Sequence, residues 1–170
     1  EASTLFLRAS EEHPSWPLPH ATLSLSLTRQ GKLDEALEAS HAAQRLAPEW
    51  PGGIAASARV LVAADRLDDA MQEYRRALNL AGDDPNLMSE LALVYHAAHI
   101  DSEAQRYAEE ALALNPDLVS ARILLAERAL ERGEAEEAAR QAARALAVSP
   151  RSISAQLAFA DALAQQQEED

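Results

Sequence analysis

Two stretches decide the fold: GKLDEALEASHAAQRLAP at 31–48 and GEAEEAARQAARALAVSP at 133–150. They share one grammar. A glycine opens each, acids follow (Asp34 and Glu35, Glu136 and Glu137), alanines recur seven apart (Ala36 and Ala43, Ala138 and Ala145), and a proline closes. Acids in a first turn complement the helix dipole, a spacing of seven returns to the same helix face, and proline stops the helix. Each stretch is therefore an α-helix with a narrow, small-residue face.

Working outward, the whole chain repeats with a period of 34 residues. Pro14, Pro48, Pro116 and Pro150 share one register, and Gly82, another helix terminator, fills the gap. Ala2, Ala36, Ala70, Ala104 and Ala138 form a second row, and Ala9, Ala43, Ala77, Ala111 and Ala145 a third. Leu46, Leu80, Leu114 and Val148 form a fourth. Each unit holds a further helix ahead of the one just described. In the unit at 85–118, Asp84 is an N-cap before Pro85 at the first helical position. Met88, Leu91, Ala92 and Tyr95 recur at helical spacing, and the helix stops near His99. The turn between the two helices falls at Gly31, Asp65, His99 and Gly133, residues that tolerate positive φ to different degrees. A further small row, Ser24, Ala58, Ala92, Ala126 and Ala160, runs along the first helices. Small rows on both helices predict close antiparallel hairpins.

Composition agrees. Of the 170 residues 38 are alanine, the strongest helix former, while aromatics make up only 4%, so the class is all-α. The formal net charge of −13 carries no basic stripe for phosphates, which argues against nucleic acid, and an acidic surface is repelled by anionic membranes. No apolar run has the length of a membrane span, so direct membrane insertion is not expected. Without cysteine there is no disulfide or thiolate chemistry, and a cytoplasmic and a bacterial periplasmic location are equally compatible. One lysine against 14 arginines, beside so much alanine, points to a bacterial source with GC-rich codons. The start at Glu1, with no methionine and no signal-like segment, gives the expectation of a piece processed or excised from a longer protein.

The period of 34, the helix–turn–helix units and the alternation of alanine with an aromatic or small residue before a closing proline resemble the tetratricopeptide repeat (TPR) family. The resemblance covers nearly the whole chain. In it, 1–14 is the second helix of a partial repeat, 17–50, 51–84, 85–118 and 119–152 are full repeats, 153–166 is a final helix and 167–170 a polar tail, all in one domain. The tryptophan seat of the family holds His20, Ile54, Met88, Arg122 and Gln156 here, and its tyrosine seat is tyrosine only at Tyr95. The resemblance implies a right-handed superhelical solenoid of antiparallel hairpins, with the first helices lining a concave groove. It also implies a protein- or peptide-binding scaffold, not an enzyme, and no cofactor.

The residues facing such a groove follow from helix geometry, on the side opposite Leu91, Ala92 and Tyr95. They are Leu25, Arg29, Ala55, Arg59, Val62, Ser89, Leu93, His96, Ile123 and Glu127. This set is partly apolar, with arginines in the N-terminal half and acids in the C-terminal half, and suits a protein segment of apolar or mixed character. The seats that match the family's carboxylate clamp hold Ala21, Leu25, Ala56, Asn86 and Glu90, so a receptor for chaperone C-termini is not expected.

Candidates for chemistry are weaker. His96 and His99 lie three apart on one helix with no third ligand in sight, and His99 occupies the turn seat, so no metal site is expected. Glu11, Glu12 and His13 read as a solvated helix end, and Asp68 and Asp69 as dipole partners. No phosphate loop, zinc motif or nucleophile elbow is present. Two alternatives to a free-standing scaffold are a substrate-recognition module of a larger multidomain enzyme and a homo-oligomer formed through the end helices.

Overall fold

The computed structural model describes residues 2–169. Among them are ten helices and no strand: α1 (Ala2–Glu12), α2 (Pro17–Arg29), α3 (Leu33–Leu46), α4 (Pro51–Ala63), α5 (Leu67–Ala81), α6 (Pro85–Ala97), α7 (Asp101–Leu114), α8 (Val119–Glu131), α9 (Ala135–Val148) and α10 (Ile153–Glu169). The first helices α2, α4, α6 and α8 begin at Pro17, Pro51, Pro85 and Val119, the positions that the period sets. The final helix runs past 166, because nothing in Gln165-Gln166-Gln167 breaks a helix and glutamine is a fair helix former.

The chain divides into two compact units, Glu1–Gly82 and Asp83–Asp170. In the first, α1 packs on α2, α2 on α3 and α4, and α4 on α3 and α5. In the second, α6 packs on α7 and α8, α8 on α7, α9 and α10, and α9 on α10.

The rows explain this packing. Ala36, Ala43, Ala70, Ala77, Ala104, Ala111, Ala138 and Ala145 on the second helices are completely buried, as are Ser24, Ala58, Ala92 and Ala126 on the first. A methyl group at a crossing lets two helix axes approach closely, and larger side chains beside it interlock. Ala92 and Ala108 thus share a cluster with Ala121 and Leu124, flanked by Tyr107, Leu112, Leu118 and Leu125. Rows lose their cover on the outer helices: Ala9 on α1 is only half-buried and Ala160 on α10 is exposed.

The turns follow one mechanism. Gly31, Asp65, His99 and Gly133 all have positive φ, between 57° and 74°. The next residue's N–H then reaches back across the turn to a carbonyl in the last turn of the helix: Lys32 to Leu27, Arg66 to Leu61, Ile100 to Tyr95 and Glu134 to Ala129. This is the Schellman closure, which satisfies carbonyls left open at a helix end.

The variable seat four residues into each first helix has its own logic, not evident from the residue types. His20 Nε2, Arg122 Nε and Gln156 Nε2 each lie within 3.3 Å of the carbonyl oxygen of the proline six residues back (Pro14, Pro116 and Pro150). These polar side chains bind the loop that proline leaves without an internal partner, while Ile54 fills the same seat by burial. Trp50 packs over the start of α4 so closely that a Cβ on Gly52 would lie 2.7 Å from its indole.

Overpacking a crossing is the sharpest check of this architecture. Ala77→Leu and Ala111→Leu, each in a different unit, are expected to cost about 1–3 kcal/mol apiece. Urea unfolding reads this as a lower midpoint, and an unchanged midpoint for both counts against close crossings.

Candidate functional site

In the second unit, α6 and α8 lie side by side and present matched stripes. Ser89, Leu93 and His96 are spaced four and three apart on α6; Ser120, Ile123 and Glu127 are spaced three and four apart on α8. Both spacings hold one helix face. The pairs meet in register. Ser89 Oγ and Ser120 Oγ share a hydrogen bond of 2.7 Å, and His96 Nε2 stands 4.0 Å from Glu127 Oε2. Leu93 (39% exposed) and half-buried Ile123 occupy the level between.

The electrostatics of this face centre on Glu127. Burial pushes its carboxyl above the ordinary range, His96 pulls the other way, and Glu131 adds repulsion. The adjacent arginine is engaged elsewhere. The Arg128 guanidinium is buried and holds both Asp101 at 2.6 Å and Glu131 at 3.1 Å, tying α8 to the start of α7.

In the first unit the stripe on α2 and α4 is different. Leu25 is half-buried and packs with Trp50 against Ala21, Ala43 and Ala56. Arg29 is exposed, Arg59 half-buried, and Val62 exposed at the end of α4.

Two expected residues do not face solvent. Ala55 is 1% exposed and Ser89 2%. The wheel of an isolated helix puts them on the open side, but within each unit the first helices also nest against one another, α2 on α4 and α6 on α8. The Ser89–Ser120 bond shows how: the fifth residue of α6 sits under the second residue of α8. Ala21, at the same position in α2, is likewise buried. Leu93, His96, Ile123, Glu127, Leu25, Arg29, Arg59 and Val62 are left with full or partial access.

The remaining candidates find ordinary partners. Asp84 caps α6 through the N–H groups of Asn86 and Leu87. His99 sits exposed in its turn, and among the described residues no group of three or more His, Asp or Glu side chains gathers where a metal could sit. At the end of α1, Glu12 pairs with Arg8, and the His13 ring stacks on Trp16 at 4.2 Å. That stack, like the buried guanidiniums of Arg122 and Arg128, had no signal in the sequence beyond the residue types.

A chain of antiparallel helix pairs, packed within each unit along small-residue rows, defines a helical-hairpin repeat protein. In particular, this chain has the tetratricopeptide-repeat fold. It is similar to TTC0263 of Thermus thermophilus, a thermophilic TPR protein, with TM-score 0.84 and 28% identity over 95% of this chain and 89% of that one. It is also similar to YrrB, a TPR protein with an unusual peptide-binding site (TM-score 0.69, 21% identity, 99% of this chain and 87% of that one). A third similar structure is the APC/C hetero-tetramer Cut9–Hcn1 (TM-score 0.81, 18% identity, 94% of this chain and 32% of that one). No protein-family model matches the sequence, and no curated protein matches it.

The Glu127 carboxyl gives a pH test of this geometry. Its raised pKa means that the fold holds the proton more tightly than the unfolded chain does. The resulting stabilisation is present below the ordinary carboxylate pKa and is lost as pH rises through the folded value. Glu127→Gln is therefore expected to melt at the same or a higher temperature than the parent at pH 7. The two proteins should converge below about pH 4. A variant that melts lower at pH 7 only would show that the charged carboxylate stabilises the fold.

Proposed function

We propose that this protein is a bacterial binding scaffold that holds a protein segment of apolar or mixed character against the exposed faces of its first helices. The supporting observation is the α6–α8 stripe, where accessible Leu93 and Ile123 lie in register beside the half-buried His96 and Glu127. Apolar groups set among a few placed polar ones are what a recognition surface needs, because desolvation supplies affinity and the polar groups supply selectivity. On the first unit, Leu25, Arg29, Arg59 and Val62 form the corresponding surface. No convergent acid, base and nucleophile accompany these faces, so the reading is of binding and not catalysis. The peptide-binding site of YrrB and the complex containing Cut9 are instances of protein partners on the same fold.

A second reading has its own support. Leu5, Leu7 and Trp16 near α1, and Ile153, Leu157 and Leu163 on α10, are exposed. Within the array, the residues in the Leu163 row, Leu27, Leu61, Tyr95 and Ala129, are buried. Association of copies through these outer helices would cover such surfaces, and the molecular mass in solution reports it.

The face assignment is tested with Val62→Asp and Leu93→Asp together. Surface substitutions usually change stability by no more than about 0.5 kcal/mol, so the melting temperature should barely move. Capture of the native partner by immobilised protein should fall at least about tenfold, equivalent to about 1.4 kcal/mol. Equal capture by this variant, with loss instead in Glu109→Arg on α7, moves the interface to the second helices.

A further inference from the structure

Glu127 is in an unusual position for a carboxylate on an acidic protein. It is half-buried, yet no described residue donates a hydrogen bond to it. Among the described residues its ion-pair partner is His96, whose Nε2 at 4.0 Å is beyond hydrogen-bonding reach. Nearby Arg128 turns its Nη1 to Asp101 and Glu131 and makes no bond to Glu127, and its Nε is buried without a partner. The other ring nitrogen of His96, Nδ1, is buried without a partner. The imidazole is therefore held with one edge inward and its Nε2 edge towards the carboxylate. A carboxylate has room for about four hydrogen bonds, so Glu127, with 45% of its side chain open to solvent, is free to accept donors from a bound partner.

We propose that this place is a seat for an arginine side chain of the bound segment, with an apolar residue two positions away resting on Leu93 and Ile123. The inference rests on the first-helix reading above and adds the chemistry of the partner. Arginine fits better than lysine for two reasons. Its planar guanidinium can fork both oxygens of a carboxylate, and it stacks on aromatic rings while shedding water more readily than an ammonium. Glu127 supplies the fork and His96 the ring. The apolar level lies one helical turn away: Leu93 precedes His96 by three residues and Ile123 precedes Glu127 by four. One turn is about 5.4 Å. Side chains two apart on one side of an extended segment are separated by roughly 6.6 Å, so a single extended stretch can occupy both levels. A turn further along, Ser89 and Ser120 satisfy each other and make no polar demand on the partner. The charge also matches: a partner cation meets Glu127 with Glu131 close behind it.

The probe is an acetylated, amidated heptapeptide, Gly-Leu-Gly-Arg-Gly-Leu-Gly, whose leucines stand two positions from the arginine on either side. A second peptide carries citrulline, the neutral isostere, in place of arginine. Each is titrated into the full chain and followed by amide chemical shifts. The expected result is movement confined to 89–96 and 120–127, with the arginine peptide bound at least tenfold more tightly than the citrulline peptide. Added salt should shrink that ratio. Glu127→Gln should bring the ratio to one while the melting temperature holds. Leu93→Ala should weaken both peptides alike. Equal binding of the two peptides by the parent, or a ratio that survives Glu127→Gln, overturns the arginine seat but leaves the face reading intact, provided that the shifts still map to α6 and α8. Shifts on α7 and α9, or none with either peptide, overturn both.

Discussion

The contact on which everything else in this structure depends is methyl against backbone where two helices cross. Eight alanines in the two second-helix rows are completely buried, two for each of α3, α5, α7 and α9. None of them removes much apolar surface from water by itself. Their value is geometric, because a side chain of one carbon sets the smallest possible distance between axes. At that distance the larger neighbours, such as Leu91, Tyr95 and Leu124, are forced into full contact. Stability thus comes from many small contacts held at a common spacing, with few large side chains. The positive-φ turns serve the same end, reversing the chain within a few residues so that the second helix returns at that spacing.

The close spacing also shapes the candidate site. Where α6 nests against α8 with an offset of three residues, the fifth position of α6 is used up in packing, as Ser89 under Ser120 demonstrates. The positions one and two turns later stay accessible. This leaves a short stripe on α6 and α8, and it is why Leu93, His96, Ile123 and Glu127 form the surface that Ser89 was expected to share.

The contrast between those residues marks how far the sequence could be read. Helix starts at Pro17, Pro51 and Pro85, the N-cap at Asp84 and the turn seats from Gly31 to Gly133 are all local choices of the backbone, and a single residue type announces each of them. The crossings were legible because a repeat shows the same choice several times. Burial of Ser89 was not, because it depends on the offset of α8, which starts 34 residues after α6. The buried guanidinium of Arg128 escaped for a related reason. Arginine reads as solvent-exposed unless its carboxylate partner, here Asp101 from the preceding hairpin, is known to be within reach. The end of α10 differs in the other direction, since a polar composition suggests a tail where no residue opposes the helix.

Within each unit, every helix packs on elements that follow or precede it closely in the chain, as α6 does on α7 and α8. Such a low contact order lets each hairpin close without waiting for distant segments, and rapid, stepwise assembly follows. It also confines mutational damage and mutational novelty to nearest neighbours. Within its unit, a change in the stripe on α6 is felt first by α7 and α8. Selection can therefore rewrite what one pair of first helices recognises while the remaining hairpins keep their sequence, so that specificity evolves repeat by repeat instead of through the molecule as a whole.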